Sequence, residues 1–138
     1  MNTGSKAPVT PGRYNVFLVE DSAAIRERLV GLLSPVAGVG LTGYAETADD
    51  AIAQILALRP HAVLLDLNLA AGSGLDVLRA LSDAAPEIEV FVLTNFANDQ
   101  SRQRCASLGA RGFFDKSNEF EKVRDAIAAR ALPTQSAT

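Results

Sequence analysis

The sequence predicts an α/β fold in which a (βα)5 chain winds into a doubly wound parallel five-stranded sheet. Two observations lead there. Short apolar runs alternate with segments of helical spacing five times along the chain, and two of the runs are apolar almost without interruption. A nearly all-apolar strand is covered on both faces, as a central strand of a parallel sheet is. Strict alternation of strand and helix calls for parallel connections, with helices on both faces of the sheet.

The strand-like runs fall at residues 14–19, 40–45, 62–65, 88–93 and 111–114. The third, AVLL, and the fourth, IEVFVL, are the central pair. Between them, Ile25, Leu29, Leu32 and Leu33 recur at i, i+4, i+7 and i+8. Ile52, Ile55 and Leu56 follow the same period, as do Leu78, Leu81 and Ala85, and then Phe120, Val123, Ile127 and Ala131. Thr47 stands three residues before Asp50 as a helix cap, and Ser117 and Asn118 are expected to open the last helix. Pro35, Pro60 and Pro86 fall in the breaks.

Composition bounds the rest. The chain has 138 residues, 48% hydrophobic and 21% charged, with a net charge of -3. That suits one domain, expected over 13–132, between a flexible leader at 1–12 and a short tail at 133–138. No apolar run approaches the roughly 18 residues that span a bilayer. The N-terminus lacks the apolar core of a secretory signal, so a cytoplasmic location is expected. One cysteine, Cys105, forms no internal disulfide, and one histidine, His61, builds no Cys/His metal site. Any bound metal must be held by oxygen. The mildly acidic balance argues against direct binding of nucleic acid.

An open parallel sheet binds ligands beyond the C-terminal ends of its strands. Those tips carry Glu20 and Asp21 after the first strand, Asp66 after the third, Thr94 at the fourth, and Asp115–Lys116 at the fifth. Glu46, after the second, lies to one side if the order is 2-1-3-4-5. Three clustered carboxylates repel one another unless a cation offsets them. Mg2+ suits such a site, taking carboxylates, carbonyls, water and phosphate oxygens, with Mn2+ as an alternative ion. Lys116 and Thr94 add the donors that a phosphoryl group needs. Asp66 is central, and a carboxylate can act as nucleophile to form an acyl phosphate. The chemistry reads as Mg2+-dependent phosphorylation of an aspartate.

Glu20–Asp21, Asp66, Thr94 and Lys116, together with VFLVED, VLLDLNL and GSGLDVL, resemble the receiver domain of bacterial two-component response regulators. The resemblance covers about residues 14–131. It implies a flavodoxin-like fold with strand order 2-1-3-4-5. It also implies Mg2+ held by Asp21, Asp66 and the backbone carbonyl of Asn68, with Glu20 acting mostly through metal-bound water. Asp66 would accept phosphate from a histidine kinase or His-phosphotransfer protein. Thr94 and Lys116 would bind the phosphoryl oxygens, and Phe113 occupies the aromatic switch position. The sequence departs from many receivers in carrying Ala70 and Ser117 where they have prolines, and Phe113 has no hydroxyl.

Blander roles are assigned elsewhere. His61 sits at the far end of the third strand as a structural residue, Cys105 packs on the inner face of the fourth helix, and Asp76 and Asp83 are solvated. The fourth helical segment, NDQSRQRCASL, is polar, with Ala97, Cys105 and Leu108 as its apolar stripe. Low burial suits an element that shifts. The fourth helix, fifth strand and fifth helix are therefore the expected output face, toward a downstream protein or a homodimer partner, with no membrane role. Phe96 is expected to hinder attacking water and slow self-hydrolysis.

The rival reading is a small Mg2+-dependent aspartyl-phosphate phosphohydrolase, but its second acid would fall at Asn68, which does not titrate. A flavodoxin or nucleotide module would want a phosphate loop where VEDSAA places acids. A receiver-like binding module that is never phosphorylated is a third reading. Five βα units fill residues 14 to 131, so output is expected through the domain's own surface if the chain is complete.

Overall fold

The computed structural model describes residues 12–95 and 97–131. Ten elements alternate: β1 (Tyr14–Val19), α1 (Ala23–Leu33), β2 (Val39–Ala45), α2 (Ala48–Leu58), β3 (Ala62–Leu65), α3 (Gly74–Ala84), β4 (Glu89–Thr94), α4 (Asp99–Ser107), β5 (Gly112–Asp115) and α5 (Phe120–Ala131). The strands form one sheet in the order β2-β1-β3-β4-β5, and every neighbouring pair is parallel. The predicted (βα)5 fold and its strand order are both present. The expected leader and tail lie outside the described residues, apart from Gly12.

The apolar runs are explained by two cores. Alternate residues of each strand point to opposite faces of the sheet. Phe17, Val19, Val63, Leu65 and Val92 join Ile55, Leu81 and Cys105 on one face. Val16, Leu18, Leu64, Phe91 and Leu93 join Leu29, Leu33, Val123 and Ile127 on the other. All four residues of β3 are buried. The helical stripes read from the sequence supply the facing residues, and Cys105 lies inward, 0% exposed.

Helix starts are set by short polar side chains. Ser22, Thr47, Ser73 and Asn98 each accept a backbone N–H of the first turn of α1, α2, α3 and α4. The expected opening of the last helix at Ser117 and Asn118 is corrected: both lie in a turn, and α5 starts at Phe120. The reason is Asp115, whose carboxylate accepts from the Ser117 N–H at 2.8 Å while its own N–H donates to Glu119 Oε1 at 3.0 Å. Those bonds hold the segment as a turn. Strand ends also move by one residue: β2 begins at Val39, and β4 and β5 run through Thr94 and Asp115, because pairing continues to Thr94↔Asp115.

Candidate phosphoryl and metal site

The sheet order brings the first and third strand tips together. The Asp66 N–H donates to the Val19 carbonyl at 3.0 Å, extending the β1–β3 ladder past its last apolar pair. Glu20, Asp21 and Asp66 each offer a carboxylate oxygen, and these oxygens lie within 4.8 Å of one another. Glu20 and Asp66 are 3% and 5% exposed, whereas Asp21 is only partly covered. Lys116 crosses from β5 to close the group. Its Nζ lies 2.8 Å from Glu20 Oε1 and 3.2 Å from Asp66 Oδ2. The Lys116 N–H donates to the Thr94 carbonyl at 2.9 Å, which ties the lysine's start to the tip of β4.

Backbone groups hold the two buried acids in place. The Ser22 N–H donates to Glu20 Oε2 at 3.1 Å, and the Asn68 N–H donates to Asp66 Oδ1 at 3.1 Å. Arg26 reaches back from α1 to the Glu20 carbonyl at 2.8 Å. The loop after Asp66 returns sharply, with Gly74 N–H bonded to the Leu67 carbonyl at 3.0 Å. A Cβ at Gly74 would stand 2.2 Å from the Asp66 carbonyl oxygen, so the start of α3 reaches the tip of β3 only because residue 74 has no side chain. Gly72, at φ +81, makes the turn that precedes it.

Burial pushes the carboxyls of Glu20 and Asp66 above their ordinary values, against the opposing pull of Lys116 and of the backbone N–H groups. Burial pulls the Lys116 ammonium down, but its bond to Glu20 and the charges of Asp66 and Glu20 outweigh this and hold it above the usual lysine value. One ammonium faces three carboxylates, so the ionised cluster keeps an excess of negative charge. That all-oxygen donor set, short of positive charge, fits a hard divalent cation.

Thr94 is buried at the end of β4, opposite Asp115 in the ladder. Phe113 is 9% exposed and lies in the same core as Cys105 and Val92. Arg102 of α4 covers it: the guanidinium carbon stands 4.8 Å from the ring centroid, and Nη1 donates to the Phe113 carbonyl at 3.2 Å. No described peptide bond is cis, including the one before Ser117. The expectation for Phe96 lies outside the described residues.

The structure thus gathers Glu20, Asp21, Asp66 and Lys116, places the Asn68 backbone beside Asp66, and sets Thr94 and Phe113 on the adjoining strands. His61 lies before β3, at the other end of the sheet, where Nδ1 accepts the Asn15 N–H at 2.9 Å and the ring stacks on Tyr14. Asp76 and Asp83 are exposed on α3. Sequence reasoning missed Ser22, Gly74, Arg26 and Arg102 as supports. Gly74 stood inside GSGLDVL, but Arg102 stood in a segment whose only signal was polarity.

Residues 16–128 match the family model of the response regulator receiver domain, and the chain belongs to that family. It is 31% identical over 121 residues to the DNA-binding transcriptional activator DevR/DosR of Mycobacterium tuberculosis, covering 85% of this chain and 56% of that protein. It is 32% identical over 131 residues to a protein-glutamate methylesterase/protein-glutamine glutaminase of Carboxydothermus hydrogenoformans, covering 88% of this chain and 38% of that enzyme. The chain therefore spans from under two fifths to just over half of these relatives' lengths. Among solved structures, the signal receiver domain of a NarL response regulator from M. tuberculosis superposes with a TM-score of 0.79 at 24% identity, covering 88% of this chain and 98% of that one. The response regulator domain of Thermotoga maritima CheB gives 0.77 at 19% identity, covering 86% and 96%, and both structures support the fold alone. No described helix is long and apolar enough to cross a membrane.

Proposed function

We propose that residues 13–132 form a receiver in which Asp66 accepts a phosphoryl group from a histidine kinase or His-phosphotransfer protein. The observation that carries this reading is the placement of a buried Asp66 between two other carboxylates and the Lys116 ammonium. Asp21, Asp66 and the Asn68 carbonyl are the residues assigned to hold Mg2+, with Glu20 in its outer shell. When bound, the ion neutralises the carboxylates and shields the oxygens of the incoming phosphoryl group.

The chain's own groups then act in order. The Asn68 N–H and Lys116 orient the Asp66 carboxylate. An Asp66 oxygen attacks phosphorus, the P–N bond of the phosphohistidine donor breaks, and an acyl phosphate forms. Lys116 and the Thr94 hydroxyl bind phosphoryl oxygens, and local charge becomes more negative by about one unit. Thr94 moves toward the phosphoryl group, Phe113 packs behind it, and the α4–β5–α5 face changes shape. A swing from 1:99 to 99:1 in such an equilibrium takes about 5.5 kcal/mol of differential stabilisation.

The output is contact between this face and a downstream protein or a second copy, without direct binding of nucleic acid by this domain. Its chemistry is confined to its own phosphorylation from kinases or small donors and its own dephosphorylation. Phosphorus-31 NMR on the protein with phosphoramidate and Mg2+ tests the reading. An acyl-phosphate resonance that EDTA abolishes supports it, and its absence with both phosphoramidate and acetyl phosphate as donors favours a receiver that signals by binding alone.

A further inference from the structure

A groove of ≈ 1080 Å³ runs along the outer side of β2, between α1 and α2. β2 is a terminal strand of the sheet, so no strand lies on its outer side. Side chains there engage the Val39 carbonyl (Arg13 Nη1, 3.2 Å) and, more loosely, the Tyr44 carbonyl (Gln54 Nε2, 3.4 Å). An added strand would take the remaining edge groups and displace these contacts. Among the described residues, the exposed large apolar side chains are Val30 and Tyr44, at 42% and 47% exposure, and both line this groove. Apolar exposure concentrated in one channel marks an interaction surface more than scattered single residues do.

The charges say what enters it. Arg26 is the one cation among the described lining residues, and it is committed three times over. Its guanidinium stacks 4.0 Å from the Tyr44 ring centroid, pairs with Glu46 at 2.8 Å and donates to the Glu20 carbonyl at 2.8 Å. Among the described residues no cation pairs with Glu27 on the α1 wall or with Asp50 on the α2 wall, whose carboxylate accepts from the Gln54 amide at 2.9 Å. A second copy would bring the same negative walls against these and be repelled. A cationic occupant meets complementary charge on both sides.

We propose that the β2 groove binds an extended lysine- or arginine-containing apolar segment of a partner protein, added to the sheet as a sixth strand. Side chains of an added strand alternate between the two faces. One set meets Glu27 and Val30, and the other meets Asp50. Main-chain bonds to β2 supply affinity and these alternate contacts supply selectivity, as in other strand-addition complexes. The site is separate from Asp66, so it stands or falls independently of the phosphoacceptor reading.

The test uses the full chain, nitrogen-15 labelled, titrated with the acetylated, amidated heptapeptide Val-Lys-Lys-Val-Lys-Lys-Val, which presents lysine and valine on both faces of an extended strand. The same heptapeptide with glutamate in place of each lysine is the counter-probe. The lysine peptide should shift amide resonances of β2 and the facing turns of α1 and α2. Tyr44→Ala should weaken binding about tenfold or more, the loss expected of a central aromatic anchor. The surface double variant Glu27→Gln/Asp50→Asn, whose fold is checked by its melting temperature, should weaken it several-fold and reduce its salt dependence. Equal binding of the glutamate peptide, shifts confined to other surfaces, or no shifts at millimolar lysine peptide would overturn the proposal. So would self-association of the unliganded chain, seen by sedimentation, that Tyr44→Ala abolishes.

Discussion

The Arg102 guanidinium stacks on the Phe113 ring and its Nη1 bonds the Phe113 carbonyl, so one side chain of α4 holds both the ring and the backbone of β5. Phe113 is held in its buried position before any phosphoryl group is present. An exposed cation–π contact is worth about 0.5–1 kcal/mol, a two- to fivefold bias in a two-state equilibrium. Arg102→Ala should therefore shift the fluorine-19 resonance of Phe113 toward a solvent-exposed position in 4-fluorophenylalanine-labelled protein, assigned with Phe113→Leu. Gln103→Ala, on the solvent side of the same helix, should not. Identical resonances in wild type and Arg102→Ala would show that the stacking does not position the ring.

Lys116 is the ammonium that offsets Glu20 and Asp66. Removing one partner of a buried ion pair costs about 3–5 kcal/mol, and protonation of the abandoned carboxyls relieves part of that. Lys116→Met should lower the melting temperature in EDTA, and Mg2+ should recover part of the loss. A variant as stable as wild type in EDTA would mean that the lysine offsets nothing.

The pH dependence follows from the raised carboxyls of Glu20 and Asp66. Their folded-state values lie above those of the unfolded chain, so between the two values the folded protein binds more protons. This contribution is present at low pH and is lost as pH rises through the raised values. In EDTA, the melting temperature of Asp66→Asn minus that of wild type should grow as pH rises from about 4 toward neutrality. A difference that stays constant across that range would remove burial as the cause.

At Gly74 the prediction is steric. A Cβ at 2.2 Å from the Asp66 carbonyl oxygen forces the start of α3 away from the tip of β3. Gly74→Ala should cost about 1–3 kcal/mol in chemical denaturation, in the range of overpacked sites. Gly31→Ala, where an added Cβ meets nothing within 4 Å, should cost nothing or stabilise. Equal effects at the two positions would contradict the close approach.

Cys105 reports on α4. Its thiol is 0% exposed and burial pushes it up, with Arg104 pulling weakly the other way. Ellman's reagent should react far more slowly with the folded protein than with urea-unfolded chain, at a rate set by opening of the helix. Beryllofluoride with Mg2+, a phosphoryl mimic, should change that rate. No change would separate α4 from the response.

Much of this is legible in the sequence. AVLL and IEVFVL announced buried central strands, and parallel topology then sent Asp66 and Glu20 to one edge. Tip residues were readable because strand direction alone fixes where they fall. The supports were less so. The start of α5 depends on Asp115 bonding Ser117 and Glu119, a local competition that the Ser–Asn pair does not reveal. Arg102 meets Phe113 only after α4 docks on β5. Gly74 is required by a backbone 8 residues earlier, at Asp66, and spacing alone does not show that distance.

The central claim is that Asp66 is the phosphoacceptor, and intact-mass spectrometry tests it most directly. Wild type, Asp66→Asn and Thr94→Ala are incubated with acetyl phosphate and Mg2+, each with and without EDTA. One phosphoryl adduct should form on wild type, form also on Thr94→Ala, and vanish with EDTA or in Asp66→Asn. An adduct of undiminished yield on Asp66→Asn, or none on wild type with Mg2+, would contradict the account.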